Sequence, residues 1–220
     1  RTLDIDHVQA MMPECGIIPK AVIEGPPRRE HPILLRQTSF RALEEQIIFS
    51  GDSPGTHTAR FGEIEQRGMA LTPKGRALYD RLLFEAGIGE DNLSHQLHLQ
   101  EVFQPFPDDE REIMRQQLGY FRYRLTPAGE GHRHAIRPGD DPGHLIERGW
   151  LEAHPITYED FLPVSAAGIF QSNLGDQTKT LSTGHASRES FIAALGCPPL
   201  DELALYQEAE NRSKRRCGLL

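Results

Sequence analysis

The stretch Arg60-Phe61-Gly62-Glu63-Ile64-Glu65-Gln66-Arg67-Gly68 constrains the fold more than any other segment. If it is extended, the alternation of strand side chains puts Glu63, Glu65 and Arg67 on one face. Three charged groups on one strand face must sit in water, pair with one another, or hold something. A helix follows, with Thr72 as N-cap, Pro73 at the first helical position, and Ala77, Leu78, Leu82 and Leu83 as its apolar positions. A short strand carrying carboxylates, backed by a helix, is one way to present a metal ligand. A solvated edge strand with a surface Glu-Arg pair is the plainer alternative.

The rest of the chain reads as mixed α and β structure. A first helix enters at Asp4, its cap, and runs to about Met12. Ala21-Val22-Ile23 reads as a short strand stopped by Gly25-Pro26-Pro27, and Ile33 to Phe40 as a better one. In that second strand Leu35, Gln37 and Ser39 share one face, and Leu34, Arg36 and Thr38 the other. The Arg36 guanidinium can clamp a carboxylate through two parallel hydrogen bonds, or can be structurally paired. Residues 88–118 read as two helices split by Pro105 and Pro107, the second with Asp108-Asp109-Glu110 in its first turn. Tyr120 to Leu125 alternates as a strand, and residues 126–144, rich in Gly, Pro, His and Asp, read as a loop or insertion. Phe161 to Phe170 is apolar and rich in small residues, a segment that lets backbone approach something closely. Two helices close the chain, Arg188 to Leu195 and Asp201 to about Arg216.

Composition narrows the classes of function. A net charge of -8 with no long basic run argues against nucleic acid as a partner. No stretch approaches the roughly 18 apolar residues that span a bilayer, so no membrane role is expected. Cys15, Cys197 and Cys217 form no paired motif and fit the reduced thiols of a cytoplasmic protein. His132 and His134 could chelate a metal from one side of a strand, but they sit in a Gly/Pro-rich stretch with no third ligand nearby. Ser165 has no evident His and Asp partners for a hydrolytic triad. The residues by themselves support a mixed α+β domain with a candidate carboxylate metal ligand at Glu63, and go no further.

Several segments together resemble one family. They are Arg1 to Asp6, Leu34 to Phe40, Arg60 to Gly68 with Ala70 to Arg76, and Leu162 to Gly168. These are similar to the 2-oxoadipate dioxygenase/decarboxylases, also called 2-hydroxyglutarate synthases, across essentially the whole chain. The resemblance implies an α+β, vicinal oxygen chelate-like curved mixed sheet with flanking helices. It also implies a reaction: 2-oxoadipate, with Fe(II) and O2, becomes D-2-hydroxyglutarate and CO2 in lysine breakdown. A facial set of two His and one carboxylate would hold the iron and leave positions open.

Phe61 to Arg67 also resembles the Phe-x-Glu-Val-Ile-Gln-Arg pattern of 4-hydroxyphenylpyruvate dioxygenase, which favours Glu63 as ligand, with Glu65 as the alternative or as a partner of Arg67. The resemblance places both His ligands before Arg1, so residues 1–220 are expected to be the C-terminal part of a larger catalytic domain, inactive by itself. Within it, 1–87 would hold the metal-ligand strand, 88–160 an insertion, and 161–220 the substrate segment and closing helices. Val164 and Ser165 are implied in the substrate site. Arg36, Gln37 and Arg60 are added to it on chemistry, since the arginines suit a small 2-oxo dicarboxylate. A related enzyme for another 2-oxo acid and a non-catalytic binding module are the competing readings.

Overall fold

The computed structural model describes residues 4–48, 54–87, 89, 91–159 and 188–220, and only the backbone of 41–48, 54–63 and 188–191. The expectations for Val164 and Ser165 lie outside the described residues, as do the side chains of Arg60 and Glu63. The chain divides into two compact units, residues 1–68 with 78–107 and residues 69–77 with 108–220. Helix α2 (Pro73–Ala86) begins in one unit and continues into the other, which a composition shift does not reveal.

The first unit is built on a long antiparallel hairpin, β1 (Leu35–Ile48) and β2 (Pro54–Arg67). Its register runs Leu35↔Arg67, Arg36↔Gln66, Gln37↔Glu65, Thr38↔Ile64 and Ser39↔Glu63, and then slips so that Phe40 faces Phe61. Gly62 is therefore the extra residue of a β-bulge, immediately before Glu63. Bulges bend a strand, sharpen its twist and are common beside active sites.

The other edge of β1 meets residues 19–24 through isolated bridges, Pro19↔Phe40 and Glu24↔Gln37, and not through the continuous strand expected at Ala21–Ile23. Ile23, between these contacts, is held from its other side: its N–H donates to Asn92 Oδ1 at 2.9 Å and its carbonyl accepts from Gln96 Nε2 at 3.2 Å. Both partners belong to helix α3 (Asn92–Val102). Gly25 follows with φ of 102°, and a Cβ there would collide with the Leu35 carbonyl, so a side chain is excluded on two counts. Helix α1 (Ile5–Met11) starts as expected, with Asp4 accepting from the N–H groups of Asp6 and His7.

The second unit pairs β3 (Phe121–Leu125) with β4 (Leu151–Pro155), antiparallel. Burial in β3 alternates, with Phe121, Tyr123 and Leu125 inward. The stretch 126–144, expected as a loop, instead contains helix α5 (Pro127–Gly131), a 3-10 turn, and the start of α6 (Pro142–Glu147). Each helix has a local cause. Thr126 caps the first through Gly129 N–H, Asp141 caps the second through His144 N–H, and a proline follows each cap. Glycine and proline content hid two Thr/Asp-Pro helix starts.

His132 in this region stacks on Trp150, ring centroids 4.5 Å apart, with Nδ1 2.8 Å from the Ala128 carbonyl. Its imidazole is a packing element. Helix α4 (Glu110–Arg115) is capped by Asp109, one residue before the helix that was expected to hold it in its first turn. Helices α7 (Arg188–Leu195) and α8 (Glu202–Cys217) complete the chain within a residue or two of expectation. Ser213 of α8 accepts from Tyr123 N–H at 3.0 Å and donates to the Glu210 carbonyl, joining helix to strand. Among the described residues no helix is long and apolar enough to cross a membrane.

Candidate functional site

Strand parity puts Arg36 and Gln37 on opposite faces of the hairpin, and the two faces differ in kind. Arg36 is 2 % exposed. Its Nε donates to the Pro26 carbonyl at 3.1 Å. Nη1 donates to Asp6 Oδ2 at 2.7 Å and Gln66 Oε1 at 3.2 Å, and Nη2 to Asp6 Oδ1 at 2.7 Å and Gln96 Oε1 at 2.9 Å. These bonds use every N–H of a guanidinium. All five are spent on partners within the fold, so Arg36 ties α1, β2 and α3 to β1. The carboxylate clamp foreseen for it exists, but the carboxylate is Asp6. Beside it, Thr38 hydrogen-bonds Gln9 of α1, whose amide donates to the Lys20 carbonyl at 2.6 Å.

Sequence reasoning missed Asp6, Gln66 and Gln96 as partners of this network. The signal available was modest: an acidic residue inside the first turn of α1, and one amide each on β2 and α3.

The Arg36 guanidinium holds the Asp6 carboxyl below its ordinary pKa, chiefly through the hydrogen bonds and secondly through charge, against partial burial that works the other way. A carboxyl depressed in the folded state stabilises the fold above its unfolded pKa of about 4, and this contribution is lost as pH falls through the folded value. Urea midpoints measured from pH 7 down to pH 3 should therefore fall more steeply below about pH 4 in the wild type than in Asp6→Asn. Parallel curves would mean that the pair contributes nothing to acid stability.

The opposite face carries Leu35, Gln37 and Ser39 of β1 against Arg67, Glu65 and Glu63 of β2 in register. Arg67 Nε and Nη2 both donate to Glu65 Oε2, at 3.1 and 2.9 Å. Glu65 is thus held by an ion pair two residues along its own strand, the alternative role foreseen for it. Gln37 is 4 % exposed. Its backbone N–H and carbonyl are both exchanged with Glu24, at 3.0 and 2.8 Å. The backbone of Arg60 lies opposite Arg41. Among the described residues no group of three or more His, Cys, Asp or Glu side chains is placed to hold a metal ion. Glu63 follows the bulge in the backbone of β2.

Comparison with known proteins agrees with the segments singled out above. A family model described as 2-oxoadipate dioxygenase/decarboxylase matches residues 1–173. Curated proteins of that name are 74 % identical over 220 residues in Escherichia coli and 53 % identical over 228 residues in Pseudomonas putida. The chain spans about half the length of the curated relatives it matches, 49 % in both cases. Among solved structures, the hydroxyglutarate synthase of Pseudomonas putida in complex with 2-oxoadipate matches with a TM-score of 0.78 and 49 % identity, over 99 % of this chain and 48 % of that one. A Shigella flexneri structure matches with a TM-score of 0.80 and 63 % identity, over all of this chain and 47 % of that one.

Proposed function

Because the chain belongs to the 2-oxoadipate dioxygenase/decarboxylase family, we propose that it contributes the carboxylate side of a site that converts 2-oxoadipate and O2 into D-2-hydroxyglutarate and CO2. The observation that carries this reading is the hairpin itself: Glu63 follows the bulge at Gly62, while its neighbour Glu65 is already engaged by Arg67.

A carboxylate oxygen is a fitting donor for Fe(II) in a set completed by two imidazoles. The imidazoles would come from the part of the relatives' length that this chain does not span. When bound, the metal would supply open positions for a 2-oxo acid and O2. This chain's own contribution is then to hold Glu63 at a fixed place on a rigid hairpin, to neutralise Glu65 with Arg67, and to shape the face on which the acid lies. Arg60, Val164 and Ser165 are proposed to contact the acid. A vicinal oxygen chelate-like cup is the finer description of the fold we favour, supported by a hairpin with one face covered by α1 and α3. A cytoplasmic setting is favoured by three free thiols.

The test uses the full reading frame that contains this sequence, loaded anaerobically with Fe(II) and mixed with 2-oxoadipate. The balanced reaction requires one O2 consumed and one CO2 released for each 2-hydroxyglutarate formed. Turnover only with a different 2-oxo acid would move the substrate assignment. No turnover together with no retained iron would overturn the reading. The 220-residue chain by itself is expected to be inactive.

A further inference from the structure

We propose that the second unit holds a binding pocket for a small zwitterion, a ligand with a carboxylate at one end, an ammonium at the other and an aliphatic body between them. Arg122 takes the carboxylate and Glu202 the ammonium; both line one cavity of about 370 Å³. That volume falls in the range of about 300–1,000 Å³ usual for small-molecule sites.

The two walls of the cavity follow from local periodicity. Phe121, Tyr123 and Leu125 of β3 are buried, so Arg122 points away from that core and is exposed. In register it faces His154 of β4, and paired residues share a face of the sheet. The other wall is helix α8. Glu202, Leu205, Tyr206 and Ala209 are spaced i, i+3, i+4 and i+7, which puts them on one face. Glu210, Ser213 and Cys217 of the same helix are buried. Tyr206 is fixed in its place: its hydroxyl accepts from Glu159 N–H at 2.9 Å, and its ring stacks on Tyr120 with centroids 5.8 Å apart.

Charge gives the class of ligand. Arg124 lies one pleat beyond Arg122 on the same face and is tied to Glu152. His154 stands 3.7 Å from the same carboxylate group. Glu152 is therefore engaged, and among the described residues neither Arg122 nor Glu202 has an ion pair or a hydrogen-bonded side-chain partner. An open guanidinium can hold a carboxylate by two parallel hydrogen bonds. Glu202, with Glu159 also bordering the cavity, supplies acceptors for an ammonium. Two carboxylates against one permanent cation disfavour a ligand that is only an anion. Ile156, Leu205 and Ala209 add apolar surface against which methylenes can lie. Leu205 is 53 % exposed, so covering it would add to the binding free energy.

The full-length protein is titrated by calorimetry with 6-aminohexanoate, hexanoate and hexylamine, which share one chain length and differ in the charges at its ends. Neither iron nor 2-oxoadipate is needed, so the outcome is separate from that of the turnover assay. The expected result is saturable binding of 6-aminohexanoate, about 10-fold or more tighter than that of either singly charged analogue. Arg122→Gln and Glu202→Gln should each weaken it by about 10-fold or more, since each removes the partner of one charged end. Arg122→Lys should recover part of the loss, because the charge returns without the planar fork. Both positions are exposed, so the Tm of each variant should match the wild type. Hexanoate binding as tightly as 6-aminohexanoate would overturn the assignment of a zwitterion. Binding unchanged in Arg122→Gln and Glu202→Gln would overturn the pocket, as would the absence of saturable binding.

Discussion

Replacing Glu63 by alanine in the full reading frame is expected to abolish turnover of 2-oxoadipate and to weaken Fe(II) binding by more than about 100-fold. The magnitude follows from comparison with outer groups. Residues that merely orient a metal ligand cost about 10- to 100-fold when removed, and loss of the ligand must cost more. Glu65→Ala is the matched control. Its carboxylate is paired with Arg67 at 2.9 Å, so its removal should disturb the site only through the released guanidinium and stay within about 100-fold. Iron content after gel filtration, together with turnover, separates the two. Equal loss in both variants would mean that the carboxylates act as a pair. A larger loss in Glu65→Ala would exchange their roles.

The second large effect is on the fold. Arg36→Ala is expected to destabilise the protein by about 3–5 kcal/mol, the usual consequence of leaving one member of a buried ion pair without its partner. Arg36 is buried and its partner Asp6 keeps about a quarter of its side-chain surface in contact with water, which puts the effect toward the lower end of that range. Arg36→Lys should recover only part of the loss. A lysine keeps the charge but cannot reach Asp6, Gln66, Gln96 and Pro26 at once with a planar fork. In the double variant Asp6→Leu, Arg36→Met, the cost should be less than the sum of the single changes, since no orphaned charge remains. Urea unfolding measures all of these. The opposite outcome, unchanged stability with a raised KM for 2-oxoadipate, would return Arg36 to the substrate site, where its residue type alone suggested it belonged.

Much of the local structure was legible in the sequence because it is encoded by neighbours. Asp4, Thr72 with Pro73, Asp109 and Asp201 each satisfy helix N–H groups within three residues, so residue type and spacing suffice to find them. The same rule, applied to Thr126-Pro127 and Asp141-Pro142, would have found the helices in the region taken for a loop. Strand alternation was legible too. It separated Arg36 from Gln37 and grouped Glu63 with Glu65 and Arg67, as the register has them.

What each face meets was decided only in three dimensions. Whether the Arg36 guanidinium is free depends on Asp6 and Gln66, both 30 positions away, and on Gln96, 60 positions away. No periodicity reports such contacts. The bulge at Gly62 likewise comes from a mismatch between two strands, and neither strand records it alone. Sequence by itself determined the α+β class, the helix starts and the parity of the charged strand, because these arise from bonds between near neighbours. Tertiary structure decided which polar groups are consumed, because a hydrogen-bond donor is exhausted only by partners that folding brings to it.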